Sequence, residues 1–242
     1  MASPDIQPRS HRLTARDLTC LTWIALQYAI RLDQLQRLLY RHTPQEDRYK
    51  RKPGTDALSL DRTYEIIHKW STLGLIEKDA ILHNDKLWIW LTRTGLREVQ
   101  LNFNYSGGPS SIRLAHLYFI NQVRLAVEAK RPDDSWTSER QIRKDHPPAG
   151  KGEKQPHTPD ALLTNAANGK ITAIEVECHA KTEDELADDV RELAVSYKSV
   201  WYFTTRATRR QIETMLESFE PSMQKPFILY DLADYGDAYG IS

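Results

Sequence analysis

Residues 157–163 have the sequence HTPDALL, and residues 171–181 have the sequence ITAIEVECHAK. The two apolar runs predict two β-strands joined by a short polar turn, and Asp160 opens the first strand. Side chains alternate between the two faces of a strand, so Glu175 and Glu177 point to the same side. If the two strands pair as a hairpin, Asp160 joins both glutamates in one acidic cluster.

Such a cluster suits a hard divalent cation. Three neighbouring carboxylates repel one another and stay together most easily around an ion such as Mg²⁺. Metal-dependent cleavage of a phosphodiester needs this arrangement, so Asp160 and Glu175 are the predicted metal ligands and Glu177 is a further acidic candidate. The alternative is a pair of solvent-facing glutamates on an ordinary amphipathic strand, and the spacing alone does not choose between the two.

The composition fits a globular protein with one large or two small domains in its 242 residues. No apolar run approaches the roughly 20 residues that cross a bilayer, and residues 1–13 lack the apolar core of a signal peptide. We therefore expect a cytoplasmic protein with no membrane association and a disordered lead-in at residues 1–13. Cys20 and Cys178 both lie in apolar segments, so no disulfide framework is expected.

The net charge of zero, with 33 basic and 33 acidic residues, hides a division along the chain. Residues 1–110 hold 16 Lys and Arg against 12 Asp and Glu, and residues 111–242 hold 17 against 21. A basic front half and an acidic back half are compatible with DNA at the front and a metal at the back.

The front half predicts three helices followed by a hairpin. Apolar spacing indicates helices over 14–29, 31–40 and 58–72, with Gly74 ending the third, and a polar loop over 42–55. Short strands at 75–78 and 87–91 flank His83-Asn84-Asp85, which is typical of a turn, and another helix begins at Thr92. These elements, over residues 14–103, predict a winged helix-turn-helix DNA-binding domain.

In that architecture the third helix enters the major groove of DNA. Its predicted inward residues are Leu60, Tyr64, Ile67 and Trp70, and its predicted outward residues are Arg62, Thr63, Glu65, Ile66, His68 and Lys69. The predicted phosphate contacts are Lys86 and the basic run of Arg48, Lys50, Arg51 and Lys52. The Trp88/Trp90 pair on the second strand is expected to belong to the core. The alternative is a winged helix used only for protein contacts or dimerisation.

Residues 104–111, with two glycines, a proline and three serines, predict a linker. Residues 112–235 then predict a second domain, followed by a tail at 236–242. Its expected order is α-β-β-β-α-β-α-β, an α/β sandwich. The expected elements are a helix at 112–130, strands at 135–142, around Asp160 and around Glu175, a helix at 182–197, a strand at 200–205, a helix at 208–218 and a strand at 226–230.

This order, with Pro159-Asp160 before one strand and Glu175-Val176-Glu177 on the next, resembles the PD-(D/E)xK nuclease-like superfamily. The whole chain resembles the replication-relaxation family of actinobacterial plasmids and phages, which are described as replication and DNA-relaxation factors. The matching segments are 33–39 (DQLQRLL), 73–76 (LGLI), 91–96 (LTRTGL), 115–117 (AHL), 136–140 (WTSER), 159–160 (PD) and 174–177 (IEVE). The resemblance implies a duplex-DNA-binding protein with a nuclease-like second domain and Mg²⁺ as its cofactor.

One departure from the nuclease pattern bears on catalysis. Active members of the superfamily end this strand in a lysine, which orients the attacking water and stabilises the charged phosphate. Here that position holds Glu177, and a carboxylate cannot offset negative charge. Lys181, four residues later, carries a long flexible stem that can bring its ammonium into the same space. Glu128 and Glu139 are candidates for an additional acid, and His116 and His157 are expected to be a core and a loop histidine.

Three classes of function remain open. The first is a metal-dependent DNA nickase or endonuclease with Asp160, Glu175, Glu177 and Lys181 as its catalytic residues. The second is a DNA-binding replication factor or regulator whose nuclease-like domain is silent, and the third is a protein-binding adaptor. Because Glu177 occupies the lysine position, the sequence favours DNA binding over cutting. The expected partners are double-stranded DNA, a second copy of the chain and the replication or transfer proteins of a mobile element.

Overall fold

The structure, a computed structural model, describes residues 13–44, 56–105, 107–147 and 157–236. These residues divide into two compact units. The first unit comprises residues up to Ala25 and Arg31–Gly108, and the second comprises Leu26–Ile30 and the residues from Pro109 onward. The change from one unit to the other after Gly108 falls inside the segment predicted as a linker. The sequence predicted a single boundary between the two domains, so it did not anticipate that Leu26–Ile30 belongs to the second unit.

The N-terminal part of the chain is helical, with a small sheet. Its elements are α1 (Ala15–Gln27), β1 (Ala29–Arg31), α2 (Leu32–Arg41), α3 (Leu60–Thr72), β2 (Ile76–Asp79), β3 (Trp88–Leu91) and α4 (Arg93–Glu98). The strand order is β1-β3-β2, and β2 and β3 pair antiparallel with Ile76 opposite Leu91. The predicted helices and hairpin are therefore confirmed within one or two residues at their ends, whereas the three-residue strand β1 was not predicted.

Turn chemistry explains where the hairpin begins and folds back. The helix α3 ends at Thr72 with Leu73 as its C-cap, and Gly74 follows with a φ of +67°, a conformation that glycine adopts without steric cost. Asn84 takes a φ of +63° in the turn between β2 and β3, as asparagine readily does. Trp88 and Trp90 are both buried, so the prediction that they belong to the core is confirmed.

The inward face of α3 differs from the prediction. Thr63 and Ile66 were expected to face outward but are buried, while Leu60 and Tyr64 were expected to face inward and are 49% and 42% exposed. The buried stripe runs through Thr63, Ile66, Ile67 and Trp70, which is the spacing of one helical face. A small threonine fits this face because its hydroxyl donates a hydrogen bond to the Ser59 carbonyl at 2.8 Å.

The second unit is a mixed α/β fold around a five-stranded mixed sheet. Its elements are a 3-10 turn (Ser111–Arg113), α5 (Leu114–Lys130), β4 (Ser135–Ser138), α6 (Glu139–Asp145), β5 (Ala161–Thr164), β6 (Ile171–Glu177), α7 (Glu183–Ser196), β7 (Val200–Thr204), α8 (Arg206–Glu217), α9 (Pro221–Gln224), β8 (Phe227–Asp231) and a 3-10 turn (Leu232–Asp234).

The strands of this sheet stand in sequence order, β4-β5-β6-β7-β8. β5 pairs antiparallel with both of its neighbours, and β6, β7 and β8 pair parallel. The predicted hairpin of β5 and β6 is therefore confirmed. One prediction is wrong: β4 ends at Ser138, and Glu139 begins α6 instead of continuing the strand. This short helix is mostly polar, with Arg140, Gln141 and Lys144 among its residues. Its sequence therefore lacks the alternation of apolar and polar residues that a half-buried strand would show.

The core of the second unit packs two helices against the strand β6, which carries Glu175 and Glu177, and its neighbour β7. A buried cluster of Ala173, Leu186, Val190, Leu193, Val200, Tyr202 and Ile212 joins β6 and β7 to α7 and α8. The helix α5 packs on β6. Among the residues that the structure describes, no helix is long and apolar enough to cross a membrane.

Candidate functional site

Asp160 is fixed by the backbone of the neighbouring strands. It directly precedes β5, and its carbonyl accepts a hydrogen bond from the Glu139 amide at 2.8 Å. Its Oδ2 accepts a second hydrogen bond from the Val176 amide, also at 2.8 Å. Val176 lies between Glu175 and Glu177 on β6, so this bond ties Asp160 to the strand that carries both glutamates.

Glu175 and Glu177 are buried, with 4% and 9% of each residue exposed. Their positions on β6 are opposite Tyr202 and Thr204 of β7. The carbonyl of Glu177 accepts a hydrogen bond from the Thr208 hydroxyl at 2.8 Å, which joins the end of β6 to the first turn of α8. The reading of these residues as solvent-facing glutamates on an amphipathic strand is therefore wrong.

A histidine is paired with Asp160. His116 extends from α5, and its Nε2 lies 3.0 Å from Asp160 Oδ1. Together with the Val176 amide, this contact gives both oxygens of the Asp160 carboxylate a partner. His116 is partly buried instead of lying fully in the core, and its partner is the aspartate of the predicted acidic cluster.

A second histidine bridges two elements. His157 Nε2 lies 2.8 Å from Glu175 Oε1, and His157 Nδ1 lies 2.9 Å from Asp189 Oδ1 on α7. The backbone amide of His157 also donates a hydrogen bond to the Glu192 carboxylate. Residue 157 precedes β5 outside any helix or strand, as expected of a loop histidine, but its ring is held between two carboxylates.

Lys181 closes the network. Its Nζ lies 2.6 Å from Glu177 Oε2 and 2.9 Å from Asp189 Oδ2. Its backbone exchanges two hydrogen bonds with the side-chain amide of Gln211 on α8, and the next residue, Thr182, caps α7. The ammonium thus reaches back to Glu177 at the end of β6, as the length of the lysine side chain allows.

The electrostatics follow from burial and from these pairs. Burial and the nearby Asp160 charge raise the pKa of Glu175 to about 7, against the partial compensation from His157 and Lys181. Burial alone disfavours a protonated His157, but Asp189 and Glu175 outweigh it and raise the His157 pKa to about 10. Glu177 and Asp189 likewise hold the Lys181 pKa above its usual value.

The same balance acts on Asp160 and its histidine. Burial disfavours the charged carboxylate, but His116 and the Val176 amide lower the Asp160 pKa below its usual range. Asp160 in turn raises the pKa of His116 well above that of a free imidazole, although burial opposes it. The site is therefore a network of four carboxylates neutralised largely by two imidazolium groups and one ammonium.

The donor atoms of this network are carboxylate oxygens, which Mg²⁺ prefers. As arranged, however, Asp160 faces His116, Glu175 faces His157 and Glu177 faces Lys181, so each carboxylate already contacts a protein cation. In the described part of the chain, no three His, Cys, Asp or Glu side chains are positioned to hold a metal ion. The side chains present do not fit Mg²⁺ without displacement of these cations.

The two additional acids considered from the sequence pair elsewhere. Glu128 accepts a hydrogen bond from Arg124 at 2.7 Å, and Glu139 accepts one from Arg143 at 2.7 Å. The residue that joins the network instead is Asp189. It lies on α7 three residues after the buried Leu186, a spacing that places it at the edge of the inward face of the helix.

The predicted DNA-contacting residues of the first unit lie in different environments. Arg62 is exposed and pairs with Glu65 one turn away. Lys69 donates a hydrogen bond to the buried Asp17 carboxylate at 2.7 Å, and Lys86 is 56% exposed while contacting Asp33 at 3.2 Å. Thr63 is buried and so is not available to DNA. The predicted contacts Arg48, Lys50, Arg51 and Lys52 lie outside the described residues.

Comparison of this chain with protein-family models, with curated proteins and with solved structures finds no match.

Proposed function

We propose that this chain binds double-stranded DNA in the cytoplasm and serves the replication or DNA relaxation of a mobile element such as a plasmid or phage. In this proposal the first unit is a winged helix-turn-helix, and the second is a divergent PD-(D/E)xK nuclease-like α/β domain. The observation that carries the proposal is the network of Asp160, Glu175, Glu177 and Lys181 at the β5/β6 hairpin of the five-stranded sheet.

The architecture of the second unit supports this reading. From α5 to β7 the order is a helix, three antiparallel strands, a helix and a strand parallel to the third. The short helix α6 is the one element that the predicted order did not contain. The acidic residues stand before the second strand and at the end of the third, which is where the resemblance to the nuclease-like superfamily puts them. A lysine next to these acids completes the types of side chain that phosphodiester chemistry uses.

The pairing within the network favours binding without cutting. A cleaving site needs a positive charge free to stabilise the developing charge on phosphate. Here the Lys181 ammonium is held between the Glu177 and Asp189 carboxylates, and the two imidazoles are held by Asp160 and by Glu175 with Asp189. The proposal therefore treats the second unit as a nuclease-like scaffold whose charges are compensated internally.

The first unit supplies the surface for duplex DNA in this proposal. Arg62 and His68 are exposed on α3, and Lys86 is exposed at the β2–β3 turn. A winged helix inserts such a helix into the major groove and places the hairpin on the backbone. A dimer on a palindromic site and contacts with replication or transfer proteins of the mobile element belong to the same proposal.

The second candidate function is a metal-dependent nickase. The observation that favours it is the position of Lys181, which lies 2.6 Å from Glu177 and so restores a lysine where the sequence motif lacks one. The same experiment separates this candidate from the first.

The test incubates the purified chain with supercoiled plasmid and Mg²⁺ or Mn²⁺, beside an Asp160→Asn/Glu175→Gln variant that keeps the size of both side chains. We expect both proteins to retard the plasmid without nicking it, and the retardation to weaken as salt is raised. Nicked product from the unmodified chain alone would establish the second candidate. A plasmid that is neither retarded nor cut at low salt would exclude DNA binding and leave the adaptor.

A second pair of variants tests whether the first unit binds duplex DNA through α3 and the β2–β3 turn. Arg62→Ala/Lys86→Ala removes two exposed charges of the first unit, and Arg206→Ala/Arg210→Ala removes two exposed charges of α8 as a matched control. We expect the first pair to weaken duplex binding and to reduce the slope of log K against log salt by about 1.8, since each phosphate contact contributes about 0.9. Equal effects of the two pairs would contradict docking through α3 and the hairpin.

A further inference from the structure

A groove in the first unit lies beside α4, and its lining includes none of the residues that the proposed duplex docking uses. This open groove has a volume of about 620 Å³, within the range of sites for small organic ligands. One wall is α4, with Arg93 and Arg97, and the other is the extended segment after it, with Asn102, Phe103, Asn104 and Tyr105.

The two arginines of α4 lie on the same side of the helix. They are four residues apart, a spacing that places side chains on one helical face. Arg97 donates a hydrogen bond to the Thr94 hydroxyl at 3.5 Å, and the Arg93 guanidinium lies 5.5 Å from the centre of the Tyr105 ring. Within the described ranges, neither guanidinium is paired with a carboxylate. Both are exposed, so their charge is available to an anion in the groove.

The opposite wall is aromatic and held in place. The Tyr105 hydroxyl donates to the Glu77 carboxylate, with oxygen distances of 2.9 and 2.8 Å. The Trp90 indole also donates to Glu77, at 2.9 Å, so the carboxylate links Tyr105 to the buried side of β3. Phe103 is half-buried in the same wall, and Asn102 is exposed with an amide that can donate and accept hydrogen bonds.

From this combination we infer that the groove binds single-stranded DNA, with phosphate on Arg93 and Arg97 and a base against the Phe103 and Tyr105 wall. Guanidinium groups match phosphate geometry through paired hydrogen bonds. Aromatic rings stack with any base once it is unpaired, and this combination of positive charge and rings is typical of sites for single strands. A base inside a duplex keeps its faces stacked on its neighbours and cannot use the aromatic wall.

The inference goes beyond the proposed docking of duplex DNA and does not require it, because it uses different residues. It also gives the first unit a specific role when a duplex opens, as it does during replication. A protein with both surfaces holds one strand of a melted region next to a bound duplex.

The test measures fluorescence anisotropy of a labelled ten-residue thymidine oligonucleotide with the full chain and with Arg93→Ala/Arg97→Ala. We expect the variant to bind the oligonucleotide at least tenfold more weakly, a change of about 1.4 kcal/mol. The salt slope should fall by about 1.4, since each phosphate contact on a single strand contributes about 0.7. The Arg206→Ala/Arg210→Ala control, which removes the same charge from α8, should bind as the unmodified chain does.

Two further measurements assign the aromatic wall and the length of the ligand. Phe103→Leu keeps an apolar side chain but removes the ring, and it should weaken oligonucleotide binding severalfold without changing the salt slope. Thymidine monophosphate should compete only at concentrations far above that of the oligonucleotide. Equal competition by the monophosphate would make the groove a nucleotide site and overturn the assignment to a strand.

Other results of the same experiments would overturn the assignment of the groove to single-stranded DNA. No binding of the oligonucleotide by the unmodified chain, or equal binding by the Arg93→Ala/Arg97→Ala variant, would overturn it. Equal losses for the oligonucleotide and for a duplex of the same length would show a general phosphate contact and would overturn the preference for single strands. A loss for the duplex alone in the Arg62→Ala/Lys86→Ala variant leaves this inference intact, so the two proposals fail separately.

Discussion

His157 shows at the scale of one residue how a buried acidic group is tolerated. Its imidazole contacts Glu175 at 2.8 Å and Asp189 at 2.9 Å, and it joins β6 to α7 through charge. Without this cation the buried Glu175 carboxylate would lose its hydration with no direct cationic partner, and it would repel the nearby, partly exposed Asp189. The histidine is therefore expected to stabilise the fold, whatever the site binds.

His157→Ala should lower the free energy of unfolding by about 2 kcal/mol at pH 6, since hydrogen bonds to charged groups contribute about 1.5–3 kcal/mol. The pKa of His157 is raised from its ordinary 6.5 to about 10 in the folded chain. Its stabilisation is therefore fully present below about pH 6.5 and is lost as pH rises through about 10. Urea denaturation at pH 6 and pH 9.5 should show a larger difference between variant and unmodified chain at pH 6.

His146 offers a matched control because it is exposed at the end of α6. His146→Ala should change the free energy of unfolding by less than about 0.5 kcal/mol at either pH. A His157→Ala variant with the same stability difference at both values of pH would contradict a charged imidazole between the two carboxylates.

Lys69 illustrates a residue whose structural role competes with a predicted role in DNA binding. Its ammonium bonds to Asp17, whose side chain is fully buried and whose pKa is lowered, against the effect of burial, by Lys69 and by Thr14. Lys69→Ala should cost about 2 kcal/mol of stability at pH 7, less than a fully buried pair because Lys69 is partly exposed. Asp17 contributes above its ordinary pKa of 3.8, so this cost should shrink as the pH falls through its folded pKa.

Urea denaturation at pH 7 and pH 3 measures this pH dependence. Arg62→Ala is the control, since Arg62 and Glu65 are both exposed and such pairs contribute about 0–1 kcal/mol. If Lys69→Ala weakens DNA binding while its stability is unchanged, the structural role assigned to Lys69 is wrong.

At the scale of elements, α4 is held against the hairpin so closely that its first turn admits no additional carbon at Gly95. A Cβ on Gly95 would lie 2.0 Å from the Leu75 carbonyl oxygen and 3.1 Å from the Leu91 side chain. That carbonyl also accepts the Thr92 amide at 2.9 Å, so the backbone cannot yield without losing the start of the helix.

Gly95→Ala should therefore destabilise the first unit by about 3 kcal/mol, at the upper end for overpacking, because the obstacle is backbone and not a flexible side chain. Thermal unfolding followed by circular dichroism measures the loss. Glu98→Ala, an exposed change in the same helix, should leave stability within about 0.5 kcal/mol. A Gly95→Ala protein as stable as the unmodified chain would show that α4 shifts freely on the hairpin.

The helices and strands that could be predicted from the sequence are those with a regular apolar pattern or a characteristic turn residue. Strong 3.6-residue and two-residue periodicities and turn residues such as Gly74 and Asn84 placed most helices and both hairpins correctly. The register of α3 was wrong because side-chain hydrophobicity favours Leu60 and Tyr64 over Thr63, whereas helical geometry and the Ser59 hydrogen bond bury the threonine.

The candidate site was predictable only in part, for a related reason. Alternation along β6 put Glu175 and Glu177 together, and the flexible stem of Lys181 suggested its reach. The pairing of His157 with Asp189 joins residues 32 positions apart on different elements, and no local pattern encodes it. Sequence spacing also gives no information on which cation compensates which buried carboxylate, because that follows from packing.

At the scale of the whole molecule, the chain contains two units with separate cores. The buried cluster of β6, β7, α7 and α8 belongs wholly to the second unit, while Trp70 and Trp88 are buried in the first. Two proposed DNA surfaces lie on the first unit and the compensated acidic network on the second.

Separate cores predict separate unfolding. Differential scanning calorimetry should resolve two transitions, because multidomain chains do not behave as one cooperative system. Gly95→Ala should lower one transition by roughly 15 °C and leave the other unchanged. Val190→Ala, which removes two buried methyl groups from the second core at a cost of about 2 kcal/mol, should lower the other transition instead. A single transition, or two that both move with either variant, would mean that Leu26–Ile30, which the second unit takes from the end of α1 and from β1, couples both cores into one folding unit.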